Sequence, residues 1–353
     1  MNPFLSSILS RNLIDRSQRH RRNVLAKYRE LLDVSGRTPD QIRTHQNRKL
    51  TGLLRHAALQ VPRWQSQLPA PYEITEDHAQ ELLRGLAIMD RAAIQADPQS
   101  FVARDAQHTV EDATGGSTGT PLVFLVDRET QVAREASLYW ANHLAGWRYG
   151  ERVAMLWGSD RDVGNAKADP KLELRWHLDN MRWYNAFDMG EDRMEAFHAG
   201  MTRFRPHVIV AYAGSLWTYA QFLQQRNLRP AYPLKALISS AEMLTDEMRQ
   251  LIESVFQRPV FNRYGNRESG AIAAEDSLHH GFLVNEADFL VEIDSPNPCE
   301  QPGPILVTYF ANRAMPFIRY NTGDLGVWRV LPGDVGPRRI GRIAGRQGDT
   351  IRT

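Results

Sequence analysis

The sequence predicts an α/β fold in which helices are layered on a parallel sheet, with a helical region before it and a β-rich subdomain after it. Three observations support this prediction. The middle of the chain alternates short apolar runs with amphipathic helical patterns, the runs are apolar throughout, and the pattern becomes β-rich after residue 281. Strands buried on both faces are continuously apolar. Strand–helix–strand order requires right-handed crossovers and therefore parallel strands.

Composition indicates an ordinary folded protein with more than one subdomain. The chain has 353 residues, of which 42% are hydrophobic and 24% charged. Lys and Arg total 43 against 41 Asp and Glu, so we expect no nucleic-acid partner. The single cysteine, Cys299, lies in a Pro-rich loop, which fits a reducing cytoplasm. No signal peptide and no run of about 20 apolar residues is present, so we expect a cytoplasmic protein without a membrane span.

The first region, residues 1–98, is predicted to be mainly helical. In the segment 46–64 ("QNRKLTGLLRHAALQVPRW"), apolar residues recur three and four positions apart, as on one face of a helix that ends before Pro62. These residues are Leu50, Leu53, Leu54, Ala57 and Ala58.

The second region, residues 99–280, is predicted to form the αβ core. Its buried strands are predicted at "RVAMLWG" (152–158), "HVIVAY" (207–212), "LKALISS" (234–240) and "VFNRYG" (260–265). Ser215 is predicted to begin one helix and Thr245 to cap another. Ligands on parallel sheets bind beyond the carboxyl ends of the strands, which directs attention to residues 212–215, 240–242 and 264–268.

The third region, residues 281–340, is predicted to form a β-rich subdomain. The segments "FLVNEADFLVEID" and "GPILVTYF" flank a Pro/Gly loop at 296–304 and suggest antiparallel hairpins. The last segment, 341–353, is rich in Gly, Arg and Asp, and taken alone is typical of a frayed end.

The stretch "DATGGSTGTPLVFLV" (112–126) contains a glycine- and hydroxyl-rich loop from Thr114 to Gly119. Such loops direct backbone N–H groups and short hydroxyl donors at phosphate oxygens. The loop lacks the Lys-Ser/Thr ending of the P-loop and also lacks G-x-G-x-x-G. Taken alone, it is equally compatible with a flexible turn before a strand.

Two later motifs carry carboxylates after strand-like segments. In "NRYGNRESG" (262–270), Glu268 is suited to a hard cation such as Mg²⁺ and Tyr264 to stacking on a purine. The alternative is a turn with an Arg267–Glu268 surface pair. In "IRYNTGDLG" (318–326), Asp324 could accept hydrogen bonds from ribose hydroxyls, although an Asx turn is the commoner role.

The order of these motifs resembles the adenylate-forming superfamily, which includes acyl-CoA synthetases. The sequence has the glycine–hydroxyl loop, then N-x-Y-G-x-x-E, Y-x-T-G-D and G-R-x-x-D. Within the superfamily it is most similar to the phenylacetate–CoA ligase family, and "YGNRESG" is most similar to the branch found near capsular polysaccharide genes. The resemblance covers about residues 40–353 and implies the N-terminal domain of such an enzyme.

The resemblance implies a role for each motif. ATP phosphates would be bound by Thr114, Gly115, Gly116, Ser117, Thr118 and Gly119. The adenine would be bound by Ser240, Ala241, Glu242, Asn262, Tyr264 and Gly265. Asp324, aided by Arg346, would bind the ribose. Glu268 would carry Mg²⁺, and Arg267 would add a cation near the α-phosphate as the second catalytic residue. Tyr212, Gly214, Ser215, Trp157 and Trp183 would border the acyl pocket, although these aromatic residues are equally well explained as core.

The implied reaction is ATP-dependent activation of a small-molecule carboxylate to an acyl-adenylate with release of pyrophosphate. CoA is a candidate acceptor in a second step, and a homodimer is expected by analogy. Two alternatives remain open at this point. One is transfer of AMP to an acceptor hydroxyl, and the other is a catalytically silent nucleotide-binding module in polysaccharide assembly.

The sequence departs from the family at four places. Arg267 stands where Ser or Thr is usual, and Pro121 lacks the neighbouring lysine that often contacts pyrophosphate. Gly348 precedes Asp349 where the family has an acidic residue two places after the hinge arginine. Relatives continue past the hinge segment 341–353 as a mobile lid domain, so we expect a fragment whose missing sequence supplies the lid. The alternatives are a lid supplied by a partner and a naturally lidless protein that has lost the full reaction. Some relatives bind zinc, but His279 and His280 have no cysteine partner and we expect none.

Overall fold

The chain folds as two compact units, in a computed structural model that describes residues 3–114, 121–158, 175–331 and 338–346, with side chains from residue 18 onward. Unit 1 comprises Met1–Trp140, Asn266–Ile272 and Leu283–Thr353, and unit 2 comprises Ala141–Gly265 and Ala273–Phe282. The helices are α1 Pro3–Ser35, α2 Pro39–Gln60, α3 Pro62–Gln65, α4 Ala79–Gly85, α5 Arg91–Ala96, α6 Arg128–Leu144, α7 Glu191–Phe204, α8 Ala213–Gln225 and α9 Asp246–Phe256.

The strands carry both kinds of pairing that the sequence predicts. They are β1 Val110–Ala113, β2 Val123–Val126, β3 Val153–Leu156, β4 Met181–Tyr184, β5 Val208–Tyr212, β6 Ala236–Ser240, β7 Val260–Asn266, β8 Gly270–Glu275, β9 Phe282–Val284, β10 Phe289–Ile293, β11 Gly303–Tyr309, β12 Tyr320–Arg329 and β13 Arg339–Arg346. In unit 2 the parallel strands follow the order β7-β6-β5-β3-β4. In unit 1, β10, β11, β12 and β13 are successive antiparallel neighbours. The predicted α/β class is confirmed.

The helical first region of unit 1 follows the predicted pattern. Helix α2 begins with a capping box, in which Thr38 Oγ1 accepts from Gln41 N and the Gln41 side chain accepts from Thr38 N. The helix ends at Gln60, before Pro62 as expected. Its predicted apolar stripe faces inward, because Leu50, Leu53, Leu54 and Ala57 are fully buried and Ala58 half-buried.

The core of unit 2 surrounds its parallel strands. Strands β3 and β6 are buried along their whole length, as expected for strands covered on both faces. Helix α9 begins after the predicted cap, Thr245, whose hydroxyl accepts from Met248 N. Ile252 and Phe256 from its predicted stripe are buried in the core.

Three local expectations are corrected by the structure. Helix α8 begins at Ala213 rather than Ser215. Strand β9 lies between β13 and β8, and beside it Val284 N donates to Arg338 O and Asn285 N to Ile272 O. The TGD motif lies within β12 rather than in a turn. The segment 339–346, expected to fray if read alone, is strand β13 paired with β12.

Candidate functional site

In unit 1, a β-hairpin holds both ends of the glycine-rich loop. Strands β1 and β2 pair from Val110↔Val126 to Ala113↔Val123. Thr114 continues this pairing, since its N–H donates to Leu122 O and its hydroxyl accepts from Leu122 N, both at 2.9 Å. The predicted phosphate-binding residues Gly115, Gly116, Ser117, Thr118 and Gly119 lie outside the described residues. Thr114 is therefore the one predicted loop residue whose contacts are described.

Two arginines converge on Asp112, directly before this loop. Arg134 of α6 donates to Asp112 Oδ2 through both terminal nitrogens at 3.0 Å, and Arg267 Nε donates to Oδ1 at 3.0 Å. Burial works to raise the pKa of Asp112, but the Ala113 N–H and the two guanidinium groups outweigh it and leave the pKa lowered. Asp112 is therefore a stable anion that positions Arg267. The alternative of an Arg267–Glu268 surface pair does not describe this arrangement.

Glu268 is a buried carboxylate in the turn between β7 and β8. It is 6% exposed, and Tyr320 at the start of β12 donates a 2.9 Å hydrogen bond to Oε1. Burial raises the pKa of Glu268, while the Tyr320 hydroxyl and nearby Arg91 and Arg134 work to lower it. Such a carboxylate gains from a cation or a hydrogen-bond donor brought by a ligand.

The turn that carries Glu268 is fixed on both sides. Asn266 Oδ1 accepts from Ser269 N and Ser269 Oγ, at 2.9 and 2.6 Å. Gly270 has a φ of +87°, and a Cβ there would lie 2.7 Å from Ser137 Oγ and 3.2 Å from the Arg134 Cα. Glycine is therefore required for the turn to approach helix α6, which carries Arg134.

Arg91 joins the loop end to the buried glutamate. Its Nη2 donates to Thr114 Oγ1 at 2.8 Å, and its charge acts on both Glu268 and Tyr320. The position of Arg91 is set by backbone bonds of Met89, whose N–H donates to Arg319 O and whose carbonyl accepts from Asn321 N. Thr114, Arg91 and Glu268 thus form one cluster within unit 1.

Asp324 extends this cluster along β12. Its charge acts on the Tyr320 hydroxyl, and its carboxylate lies 3.7 Å from Arg346 Nε across the β12–β13 pair. Thr322 Oγ1 accepts from Asp324 N, and Gly323 has a φ of +81°. This left-handed residue interrupts the regular strand and fits the glycine of the motif. Both predicted ribose contacts therefore adjoin each other.

In unit 2, the ends of β5 and β6 are joined by a side chain. Glu242 Oε2 accepts from Gly214 N at 2.8 Å, and a Cβ on Gly214 would lie only 3.2 Å from that oxygen. Ser215 donates from its hydroxyl to Ala186 O at 3.1 Å. Ala241, between the strand and Glu242, has a left-handed φ of +67°. Non-glycine residues adopt this conformation at an energetic cost, which is common at functional sites.

The other predicted adenine-binding residues of unit 2, besides Ala241 and Glu242, lie on β6 and β7. Ser240 and Arg263 are register partners, and Ser240 Oγ donates to Arg263 O while Arg263 Nε donates to Ser240 Oγ. Asn262 N donates to Glu275 Oε2, and Tyr264 is buried. Strand β7 includes Gly265, so these residues lie within the strand rather than in a turn after it.

The predicted acyl-pocket aromatics divide into two pairs. Trp157 and Tyr212 stack with ring centroids 4.2 Å apart, and Phe187 lies 5.8 Å from Tyr212. Trp183 stacks instead on Trp176, with centroids 5.0 Å apart. Only Trp157 of the two predicted tryptophans is thus paired with the predicted residue Tyr212.

The predicted site residues therefore fall into two groups. Unit 1 brings together Thr114, Arg267, Glu268, Asp324 and Arg346. Unit 2 carries Ser240, Ala241, Glu242, Asn262, Tyr264, Gly265, Tyr212, Gly214, Ser215, Trp157 and Trp183. Sequence reasoning assigned no role to Asp112, Tyr320 or Arg263, although each stands in a motif that we quoted, and Arg91 and Arg134 gave no signal.

Metal ligands are sparse in the described part of the chain. Among residues 18–114, 121–158, 175–331 and 338–346, no group of three His, Cys, Asp or Glu side chains lies close enough to hold a metal ion. His279 contacts Glu275 at 3.4 Å. The expectation of no zinc stays a prediction. Within the same residues, no helix is both long and apolar enough to cross a bilayer.

The fold is that of the adenylate-forming enzymes, which confirms the resemblance seen in the sequence. A solved 2-hydroxyisobutyryl-CoA ligase, in an open conformation with 2-HIB-AMP and CoA, matches with a TM-score of 0.65 and 17% identity over 87% of this chain and 75% of its own. The same ligase in its postadenylation state with 2-HIB-AMP matches with a TM-score of 0.67 and 17% identity, over 87% of this chain and 68% of its own.

A curated relative is protein CapK of Staphylococcus aureus. It is 24% identical over 269 residues, which are 74% of this chain and 58% of CapK. This chain thus spans 58% of the length of that relative. No family model matches the chain. The placement next to phenylacetate–CoA ligases stays a prediction.

Proposed function

We propose that this protein activates a carboxylic acid with ATP. A carboxylate oxygen of the acid attacks the α-phosphorus, the bond from that phosphorus to the bridging oxygen of pyrophosphate breaks, and acyl-AMP and pyrophosphate form. The adenylate-forming fold and the motif order support this reaction. Relatives of that fold are described with acyl-AMP bound.

One observation in particular supports the proposal. Within unit 1, Arg91 bonds Thr114 at the end of the glycine-rich loop and acts on Glu268, and Tyr320 bonds Glu268 and lies in the field of Asp324. In the proposed site the loop would bind the phosphates of one nucleoside triphosphate, Glu268 its metal ion and Asp324 its ribose. Little covalent work then falls on the protein, which aligns two anions and neutralises developing charge.

The residues present fit Mg²⁺ bound together with ATP. Mg²⁺ is usually held by one or two carboxylates plus substrate phosphates rather than by a closed protein cage. Glu268 is buried and its pKa is raised by that burial, so a cation would relieve the cost of its charge. Glu268 would hold the ion, which when bound supplies positive charge to the phosphates.

The remaining predicted residues are assigned by the same proposal. Thr114 and the loop 115–119 bind phosphates, Arg267 places its charge at the α-phosphate, and Asp324 with Arg346 binds the ribose. The unit 2 residues at the ends of β6 and β7 bind adenine, and those after β3 and β5 border the acid. CoA, which the ligase structure holds beside 2-HIB-AMP, is the candidate acceptor of the acyl group.

The test is exchange of labelled pyrophosphate into ATP, measured with Mg²⁺ and a panel of carboxylic acids. Exchange that requires the acid supports the proposal, and formation of an acyl thioester on adding CoA supports the second step. Exchange with no dependence on any acid would favour adenylyl transfer to another acceptor. ATP binding without exchange for any acid or hydroxyl acceptor would contradict both reactions.

A further inference from the structure

Four residues form one row across the carboxyl ends of the unit 2 strands. Tyr212 pairs in register with Ser240, and Ser240 with Arg263, while Trp157 directly follows Leu156, the partner of Ala211. Register neighbours in a parallel sheet direct their side chains to the same face. Trp157, Tyr212, Ser240 and Arg263 therefore share one face at the end of the sheet where ligands bind.

Arg263 is a buried cation in this row. It is 7% exposed, and burial lowers its pKa to about 10. Among the described residues, no carboxylate forms an ion pair with it, and Ser240 Oγ at 3.3 Å is the side-chain acceptor that its guanidinium reaches. A buried charge without a counter-charge is costly, and an anionic ligand bound to Arg263 would offset that cost.

Beside Arg263 lies an aromatic surface that is partly open. The guanidinium carbon is 5.9 Å from the centre of the Trp157 ring, which stacks on Tyr212. Both rings are half-buried, and Phe187, which adjoins Tyr212, is 70% exposed. A half-buried aromatic pair next to a buried cation suits a ligand with an apolar body and an anionic end.

The anionic end is best assigned to a group that does not react. A guanidinium binds a carboxylate through two parallel hydrogen bonds. If that carboxylate were the nucleophile, its ground state would be stabilised and its attack on the α-phosphorus slowed. A second anionic group at the far end of the acid gains binding energy from Arg263 without this penalty.

We propose that Arg263 binds a second anionic group of the acid, so that this enzyme activates dianionic acids whose apolar part lies on Trp157 and Tyr212. The inference rests on the proposed function, because it assigns the substrate of the same reaction. It assigns Arg263 to substrate specificity and leaves the reacting groups unchanged.

The experiment compares each dicarboxylate with its monomethyl ester, which keeps the shape and loses one charge. Terephthalate and glutarate are titrated against the ester forms by calorimetry without ATP, using wild type, Arg263→Met, Arg263→Lys and Arg229→Met. Arg229 is an exposed arginine of unit 2, so its variant removes the same charge elsewhere. We expect wild type and Arg229→Met to bind the diacid about tenfold or more tightly than the ester. Arg263→Met should lose that difference in affinity, and Arg263→Lys should keep part of it.

Three results would overturn the inference. The first is that wild type binds no diacid, or binds the diacid no more tightly than its monomethyl ester. The second is that Arg263→Met still binds the diacid more tightly than the ester. The third is that Arg263→Met loses affinity equally for diacid and ester, which would place Arg263 on the carboxylate that both share. The melting temperature serves as a second readout, because Arg263 has no counter-charge within the described part of the chain and its replacement by methionine should not lower this temperature. Diacid binding through Arg263 without pyrophosphate exchange for any acid would contradict the proposed function alone, whereas exchange without diacid preference would contradict this inference alone.

Discussion

The hydroxyl of Tyr320 donates a 2.9 Å hydrogen bond to Oε1 of Glu268, and both residues are buried. The two residues are 52 positions apart in the sequence, with Glu268 in the turn between β7 and β8 and Tyr320 at the start of β12. The bond orients one carboxylate oxygen and works against the rise in the pKa of Glu268 that burial causes. The backbone N–H of Glu268 also works against this rise, so the carboxylate is oriented by its own main chain as well as by Tyr320.

Glu268→Gln is predicted to abolish pyrophosphate exchange while the protein stays folded. Glutamine keeps an oxygen that accepts from Tyr320 but cannot supply the negative charge for Mg²⁺. Loss of one electrostatic contact to the developing charge costs about 100-fold or more in rate, and we expect at least this loss. Exchange assays with wild type and variant, alongside circular dichroism, provide the measurement. Unchanged exchange would remove Glu268 from the site.

The same variant makes a prediction about pH. Burial raises the pKa of Glu268 above the ordinary 4.5, so the folded chain keeps this proton at pH values where the unfolded chain has released it. The contribution of Glu268 to stability is therefore largest at acid pH and falls as the pH rises from 4.5 through the folded pKa. Urea unfolding across this pH window should show that the free energy of unfolding declines less steeply for Glu268→Gln than for wild type. Parallel pH dependences of the two proteins would contradict the raised pKa.

Tyr320→Phe isolates the hydrogen bond from the ring. Phenylalanine keeps the packing on Phe317, whose ring centroid is 4.9 Å away, but cannot donate to Glu268. Since this bond lowers the pKa of Glu268, its loss raises that pKa further, and the acid limb of the exchange profile should move to higher pH. A rate loss with no movement of the limb would indicate a purely structural role. Tyr309→Phe, another buried tyrosine of unit 1, is the control and should leave the limb in place.

Much of the fold was predictable, because the strands of the parallel sheet are continuous apolar runs. Strand β4 was missed because it is an edge strand in the order of unit 2, carries Arg182 and has no fully buried residue. Thr114, Glu268 and Asp324 could be found from motifs since each lies in a short sequence pattern. Arg91 could not, because its position depends on a backbone bridge between Met89 and the start of β12.

Asp112→Asn is predicted to lower stability and to release two arginines. The pKa of Asp112 is lowered in the folded chain, so its contribution is present above the ordinary 3.8 and is lost as the pH falls through the folded pKa. The ion pair between Asp112 and Arg134 is partly buried, since the Asp112 side chain is 19% exposed. We therefore expect the free energy of unfolding to fall by about 1–2 kcal/mol at pH 7. Asp33→Asn, which breaks an exposed pair with Arg37, should cost less than about 0.5 kcal/mol. If chemical denaturation showed the same loss of unfolding free energy for Asp112→Asn and Asp33→Asn, this account would be contradicted.

Ala241→Gly is predicted to stabilise the chain. Ala241 is exposed and has a φ of +67°, a conformation that costs a residue with a Cβ about 1–2 kcal/mol, whereas glycine adopts it freely. After the entropic cost of glycine, a net gain of about 0.5–1 kcal/mol is expected. Ala92→Gly, at an exposed position of helix α5, should instead lose about 1 kcal/mol. Thermal melts of the two variants should therefore move in opposite directions.

Asp324→Asn is predicted to weaken ATP binding by removing an acceptor for the ribose hydroxyls. Asp324 lies opposite Arg346 in the β12–β13 register, and its 20% exposed side chain remains accessible to a ligand. Hydrogen bonds to a charged group are worth about 1.5–3 kcal/mol, so we expect ATP affinity to fall about tenfold or more. Dideoxy-ATP lacks both hydroxyls, and its affinity for wild type and variant should be nearly equal. If the variant instead weakened both nucleotides equally, Asp324 would act through Arg346 or through the strand rather than on the ribose.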